Sequence, residues 1–104
     1  MVLARMSVWH FKSGKREDAF SEIDRVLNLE TRHTDGFRGY LSLLSSEDKN
    51  LAAVLTLWRD EDTLRKSEKG VFAEVTKRIQ DSLKDQPQVS HYRVFSTEMF
   101  QRFE

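Results

Sequence analysis

The 104-residue chain contains no cysteine, one proline and four glycines, and its 17 Lys and Arg residues are balanced by 17 Asp and Glu residues. Without cysteine there is no disulfide framework, no thiolate nucleophile and no cysteine-ligated zinc or iron–sulfur site. Because the net charge is zero, no long-range field attracts nucleic acid or an anionic membrane, and we expect neither as a partner. No run of ~18 apolar residues occurs, and the N-terminus lacks a secretory pattern. These absences predict a soluble cytoplasmic protein, and the length predicts one domain over residues 1–104.

Four segments have the composition and alternation of β-strands, and two have the periodicity of amphipathic helices. The predicted strands cover residues 2–11, 37–44, 51–58 and 89–96. The first predicted helix covers residues 15–33. Asp60 is the predicted N-cap of the second helix, which Gly70 interrupts and Pro87 ends. The resulting order, βαββαβ, is that of a ferredoxin-like α+β fold, a four-stranded antiparallel sheet in the order 4-1-3-2 with both helices on one face.

The third predicted strand is apolar on both faces. Its two faces are Leu51, Ala53, Leu55 and Leu57 on one side, and Ala52, Val54, Thr56 and Trp58 on the other. Helices cover only one side of the sheet, so the other side needs a second cover. A second copy of the chain is the simplest one, because a two-fold axis makes the same patch complementary to itself, and we expect a homodimer that buries about 800 Å² per subunit. The alternative is a monomer whose own C-terminal tail, with Met99, Phe100 and Phe103, covers this face.

Short motifs along nearly the whole chain strengthen this expectation. They are Ser13-Gly14-Lys15 at the start of the first helix, Asp35-Gly36-Phe37 before the second strand, Leu57-Trp58-Arg59-Asp60-Glu61-Asp62 after the third, and Gly70-Val71-Phe72 within the second helix. With these marks the chain resembles the antibiotic biosynthesis monooxygenase family of dimeric α+β barrels. The resemblance implies that two sheets pair across a dimer. It also implies a pocket between sheet and helices, lined by the tryptophan that ends the third strand, here Trp58.

The family includes oxygenases that act on polycyclic phenols or quinols without metal or flavin, haem-degrading enzymes, and proteins of no known activity. The haem-degrading branch uses an asparagine and a histidine at positions that align with Ser7 and Thr76. Without that histidine, haem loses its usual axial ligand. We therefore expect no cofactor and no metal.

A cofactor-independent oxygenase needs an apolar box around the substrate rings and a hydrogen-bond donor or base near the hydroxyl. The candidate catalytic residues are Trp58 and Ser7. Trp9, Phe11 and Phe72 are candidate walls of the box, and simple core packing is the alternative role, favoured for Phe11 and Phe72.

The fourth strand offers the other candidate substrate-binding residues, His91, Tyr92 and Arg93. Because the first and fourth strands are predicted neighbours, His10 and His91 are expected within cross-strand reach. If His10 faced the pocket, it would act as a general base, with Tyr92 or Arg93 near an oxyanion. The alternation of the first strand favours a different place for His10, at the dimer interface. We do not expect these two histidines to form a metal site, because no third ligand is evident.

Two functions stay open on the sequence alone. The first is a small monooxygenase that acts on an aromatic or quinol-type molecule in a pocket containing Trp58. The second is a non-catalytic dimeric protein of the same fold that binds a small ligand or serves in a stress response. The sequence fixes no strong acid–base pair, which favours the second.

Overall fold

The computed structural model describes residues 2–29 and 31–98. Within those ranges the strands are β1 (Leu3–His10), β2 (Phe37–Leu44), β3 (Leu51–Trp58) and β4 (Gln88–Arg93). The α-helices are α1 (Arg16–Leu29), α2 (Glu61–Ser67) and α3 (Ala73–Arg78). A π-helical turn at Glu68–Phe72 joins α2 to α3, and 3-10 turns lie at Thr31–His33 and Gln80–Ser82.

The strands form one antiparallel sheet in the order β2-β3-β1-β4. This is the predicted order, and it confirms the ferredoxin-like α+β fold. The strands β2 and β3 begin and end at the predicted residues, because their alternating apolar side chains are bounded by polar turn residues. The strand β4 is shorter than predicted and ends at Arg93.

The helices are shorter than predicted. The first α-helix ends at Leu29, and a tighter 3-10 turn covers Thr31–His33. The prediction that Pro87 ends the second helix was wrong, because α3 already ends at Arg78. Beyond it Leu83 is extended and forms a β-bridge with Phe11, which fixes where the chain returns to the sheet.

Asp60 is the N-cap of α2, as predicted. Its carboxylate accepts a hydrogen bond of 2.9 Å from the backbone N–H of Thr63. That bond, followed by the side chains of Arg59 and Thr63, lowers the pKa of Asp60 to about 2. The cap therefore stays ionised at physiological pH and orients the start of α2 at the end of β3.

The two faces of the sheet differ in burial. The side of β3 that the sequence assigned to the helices is buried at every position, from Ala52 to Trp58. The core on that side also contains Trp9, Phe20 and Val26. On the opposite side the alternate residues of β3 are only half-buried. We call this second surface the open face.

The open face joins three strands through the observed register. It consists of half-buried apolar side chains, Met6 and Val8 of β1, Leu41 of β2, and Leu51, Ala53, Leu55 and Leu57 of β3. The tail residues Met99, Phe100 and Phe103, the alternative cover, lie outside the described residues. No helix in residues 2–29 or 31–98 is long and apolar enough to cross a membrane.

Candidate functional site

Trp58 lies at the end of β3, under the helices. Its side chain is fully enclosed, with 0% of its surface exposed. The indole N–H donates a hydrogen bond of 2.9 Å to Oγ1 of Thr56, and the ring of Phe37 packs at 5.2 Å between centroids. The polar atom of the indole is therefore already paired, and Trp58 offers its ring surface rather than a donor.

Ser7 and Trp9 form a second pair on the helix-facing side of β1. The indole N–H of Trp9 donates to Oγ of Ser7 at 2.9 Å, and this hydroxyl lies 3.4 Å from the carbonyl oxygen of Val54. Both side chains are buried. The Ser7 hydroxyl thus holds the Trp9 ring in place against Phe72, at 5.7 Å between ring centroids.

The predicted aromatic box is brought together only in part. Phe72 is half-buried and packs against Trp9. Phe11 lies at the other end of β1, where it is buried and meets Phe20 edge-on at 6.3 Å. Trp9 and Phe72 thus share one part of the core, while Phe11 belongs to another.

Arg5 connects these rings, and sequence reasoning missed it. Its side chain is only 5% exposed, and its guanidinium carbon lies 4.7 Å from the ring centroid of Phe72 and 5.6 Å from that of Trp58. Nη1 donates to Oγ of Ser67 at 2.7 Å and lies 3.8 Å from Oε1 of Glu68. Burial lowers the pKa of Arg5 to about 10, against the opposing effect of Glu68, so the side chain remains a cation at neutral pH.

Glu68 and Phe72 both reach Arg5 from the π-helical turn. Glu68 is the first residue of this turn and Phe72 the last. A π-turn contains one more residue than an α-turn, and such turns are frequent at functional sites. The signal in the sequence is Gly70, which lies in the middle of the turn. Gly70 indicated that the helix is irregular at this point, but not that the irregularity is a π-turn.

A groove of about 550 Å³ between β4 and α2 is the candidate site that contains residues predicted from the sequence. Its lining comprises Leu3, Glu61, Leu64, Arg65, Glu68, His91, Tyr92 and Arg93. Nε2 of His91 contacts Oε1 of Glu68. The groove therefore combines an apolar floor with a carboxylate–imidazole pair, and the Arg5 cation lies directly behind that pair.

The strand β4 distributes its three candidate residues over both faces. His91 is paired with Arg5 and Arg93 with Leu3, so their side chains share the helix-facing side. Tyr92 is paired with Ala4, and its side chain belongs to the other face. His91 and Arg93 can therefore act together in the groove, whereas Tyr92 lines it from a strand position whose side chain belongs to the other face.

The expected contact between His10 and His91 was wrong. His91 lies opposite Arg5, whereas His10 is near the far end of β1, where its carbonyl oxygen accepts from the N–H of Lys84. The two histidines are also on opposite faces of the sheet, as the strand alternation requires. Among the described residues no cluster of three or more His, Asp or Glu side chains is arranged to hold a metal ion.

The space beside Trp58 is small. A cavity of about 30 Å³ lies between the sheet and the helices, next to the rings of Trp58 and Phe72. Since a single water molecule needs about 10–15 Å³ of such space, this cavity is far too small for an aromatic substrate. In this conformation the groove, and not the interior, has room for a ring.

No protein-family model matches the sequence, and no curated protein matches it. Solved structures do match. A conserved protein from Methanosarcina mazei superposes with a TM-score of 0.78 at 18% identity, over 89% of this chain and 92% of that one. A candidate antibiotic biosynthesis monooxygenase from Nitrosomonas europaea superposes with a TM-score of 0.80 at 10% identity, over 90% of each chain.

A variant of SnoaB, a cofactor-independent oxygenase from Streptomyces nogalater, superposes with a TM-score of 0.76 at 12% identity, over 92% of this chain and 95% of that one. These identities show a shared fold. The resemblance to antibiotic biosynthesis monooxygenases that the sequence motifs indicated is thus confirmed at the level of the fold.

Proposed function

We propose that the protein is an oxygenase that needs no bound cofactor and acts on a small phenol- or quinol-type aromatic held in the groove between β4 and α2. The volume of this groove lies within the usual range of small-molecule sites, about 300–1,000 Å³. SnoaB, which is named as a cofactor-independent oxygenase, has the same fold, although a fold alone does not select an activity. The argument therefore depends on the groove itself.

The contact between His91 and Glu68 is the observation that carries this proposal. A carboxylate that pairs with one imidazole nitrogen orients the ring and leaves the other nitrogen to take a proton from a substrate hydroxyl or activated ring carbon. The resulting anion is electron-rich and can reduce dioxygen directly. Arg5, behind Glu68, supplies positive charge on that side of the groove.

The reaction balances without a further oxidant. The substrate anion passes one electron to dioxygen, which gives a substrate radical and superoxide. These two combine through a new carbon–oxygen bond, and the peroxide takes back the proton held by His91. The second hydrogen of the same ring carbon then leaves as a proton while the oxygen–oxygen bond breaks, and the departing hydroxide takes up a proton and leaves as water. A ring CH₂ thus becomes a carbonyl, one dioxygen is consumed and one water is released.

The residues with predicted catalytic roles act in this proposal from behind the groove. The Trp58 ring packs against the Arg5 guanidinium and holds its position. Ser7 orients Trp9, which in turn supports Phe72 and the π-turn that presents Glu68. Both are therefore positioning residues, and Arg93 is the groove residue that faces an acidic or hydroxylated substrate.

Oxygen uptake with menadiol-like and anthrone-like compounds tests the proposal. We expect wild type to exceed autoxidation, and His91→Gln and Glu68→Gln to lower the rate by about 10²-fold or more, the usual contribution of a general base. His33→Gln, which changes an exposed histidine outside the groove, is the matched control and should leave the rate unchanged. A wild-type rate equal to autoxidation, or a His91→Gln variant of full activity, would contradict the proposal.

A non-catalytic protein that binds a small ligand or serves in a stress response is the second candidate. The complete enclosure of Trp58, with only about 30 Å³ beside it, favours this alternative. It predicts that a quinone such as menadione quenches tryptophan fluorescence saturably while no dioxygen is consumed. Saturable quenching with turnover would instead select the oxygenase.

We further propose that the open face pairs two copies of the chain. An apolar patch that spans three strands is unusual on the surface of a monomer, and its two-fold pairing would place sheet against sheet. Light scattering should give twice the chain mass for wild type. Leu55→Glu should give the monomer mass, whereas Leu29→Glu, on the exposed side of α1, should remain dimeric. A monomeric wild type at micromolar concentration would refute the pairing.

The cytoplasm is the compartment that we propose. A chain without cysteine gains nothing from an oxidising compartment, and its balanced charge gives it no affinity for anionic surfaces. Cell fractionation tests this location, and recovery with the membranes would contradict it.

A further inference from the structure

The small interior cavity differs from the groove in both shape and lining. It lies between α1, the π-turn and the sheet, and apolar side chains such as Val26 and Val75 form most of its wall. The rings of Trp58 and Phe72 close one side. Its volume of about 30 Å³ exceeds the space that one water molecule needs, so a diatomic molecule fits while any ring is excluded.

Thr31 also lines this cavity, and its hydroxyl is unusual. The residue is 3% exposed, and Oγ1 has no hydrogen-bond partner among the residues that the structure describes. It is the one buried side-chain polar atom in the described ranges left in this state. A buried hydroxyl without a partner costs free energy, and an unexplained one indicates a missing ligand or a functional role.

Arg5 brings a positive charge to the same cavity. Its guanidinium lines the cavity and contacts the two rings that close it. On the groove side the same guanidinium lies 3.8 Å from Glu68. Arg5 therefore separates the two spaces, and one cation acts on both.

We propose that this cavity binds dioxygen, the second substrate of the proposed oxygenase, and that Thr31 and Arg5 stabilise the superoxide formed there. This inference rests on the proposed function. Dioxygen is small and apolar, which suits the wall of valine and aromatic side chains. A water molecule normally makes two to four hydrogen bonds when buried. Among the described residues that line the cavity, Thr31 has the single unsatisfied side-chain polar atom, since the other two polar side chains, Arg5 and Ser67, are hydrogen-bonded to each other.

Thr31 and Arg5 stabilise the molecule in the cavity only after it has become negatively charged. Neutral dioxygen is a poor hydrogen-bond acceptor, so the Thr31 hydroxyl stays unpaired while it is bound. One electron from the substrate anion converts dioxygen to superoxide, and the anion then accepts a hydrogen bond from Thr31 and attracts the Arg5 cation. Interactions that are stronger after electron transfer than before it accelerate that step. Because Arg5 separates the two spaces, superoxide then passes its side chain into the groove, where it joins the substrate radical as described above.

Methyl NMR tests binding without any organic substrate. We expect dissolved dioxygen, which is paramagnetic, to enhance the relaxation of the Val26 and Val75 methyl groups well above that of Val54. Val54 is an equally buried valine that does not line the cavity, so it measures general penetration of the core. Xenon should shift the same two methyl signals. Equal relaxation at all three valines, or a long-lived water signal at Thr31 that dioxygen does not displace, would overturn the inference.

Two variants then connect the cavity to turnover. Val75→Ile places an extra methyl group in the cavity and should abolish the excess relaxation and raise the KM for dioxygen, while Val89→Ile on the exposed strand β4 changes neither. Thr31→Val keeps the shape but removes the donor, so it should retain the excess relaxation and lower kcat by about 10²-fold. A Thr31→Val variant with unchanged kcat would refute its role.

Failure of this inference can be told apart from failure of the proposed function. Excess relaxation without turnover of any compound would refute the oxygenase and leave the gas site established. Turnover by wild type without excess relaxation, and with an unchanged KM for dioxygen in Val75→Ile, would refute the cavity and leave the oxygenase standing.

Discussion

We expect the buried Arg5 side chain to lower the free energy of unfolding of the protein. Burial depresses its pKa to about 10, and each pKa unit corresponds to about 1.4 kcal/mol, so keeping the cation costs about 3 kcal/mol of unfolding free energy even with Glu68 nearby. The contacts with Trp58 and Phe72 return about 1–2 kcal/mol. Arg5→Met replaces the guanidinium with an apolar side chain of similar length that also packs well on aromatic rings. We therefore expect Arg5→Met to be more stable than wild type by about 1–2 kcal/mol.

Urea unfolding followed by circular dichroism measures this difference, at one protein concentration because an oligomer would make stability depend on it. The gain corresponds to a rise of Tm by roughly 5–10 °C. Because the folded-state pKa of Arg5 is lowered, its cost is fully present below pH 10 and is relieved as the pH rises beyond that value. The advantage of Arg5→Met should thus be constant from about pH 6 to pH 9 and shrink above pH 10.

Glu68→Gln provides the opposite perturbation. It leaves the Arg5 cation buried without its carboxylate and should lower stability by about 1–3 kcal/mol. In the Arg5→Met background the same change should have little effect, because the buried charge is gone. An Arg5→Met protein less stable than wild type by more than about 1 kcal/mol would refute the reasoning. Full oxygenase activity in that variant would refute the functional role that justifies the cost.

Three further outcomes are expected. Gly36→Ala should lower stability by about 2–4 kcal/mol, because Gly36 has φ +84° and a Cβ there would lie 2.5 Å from the Thr63 side chain. The control Gly70→Ala places its Cβ in open space and should be tolerated. Equal melting temperatures for the two variants would contradict this expectation. Because hydrogen bonding lowers the pKa of Asp60, its contribution to stability is full above its ordinary pKa of 3.8 and is lost as the pH falls toward 2. Asp60→Asn should therefore weaken the fall of Tm at acidic pH in a series of thermal melts. An unchanged fall of Tm would count against the cap. If the open face pairs two chains, the Tm of wild type should rise with protein concentration and that of Leu55→Glu should not.

The sheet was predictable because its strands carry a period of two. The alternation of β3 identified which residues lie under the helices, and that assignment is confirmed by the burial of Ala52, Val54, Thr56 and Trp58. The order of the strands followed from short antiparallel connections, and it too was confirmed. The sequence therefore contained both the fold and the position of Trp58.

The groove was harder to predict, because its residues come together through the register in which β4 pairs with β1. The pairing of His91 with Arg5 depends on the extended segment around Leu83 and on the 3-10 turn before it, and neither has a marked sequence pattern. Arg5 was overlooked because a charged residue in an amphipathic strand is normally taken to face water. The available signal was its parity, which puts it on the same side as Ser7 and Trp9.

The π-helical turn has a consequence for how this chain can change length. It contains one residue more than the same stretch of a continuous α-helix, and the wider turn absorbs that residue. Deleting Gly70 would therefore restore a regular helix and leave the buried residues from Val75 onward facing the sheet. The effect of such a deletion should be confined to the five residues Glu68–Phe72 that form the turn.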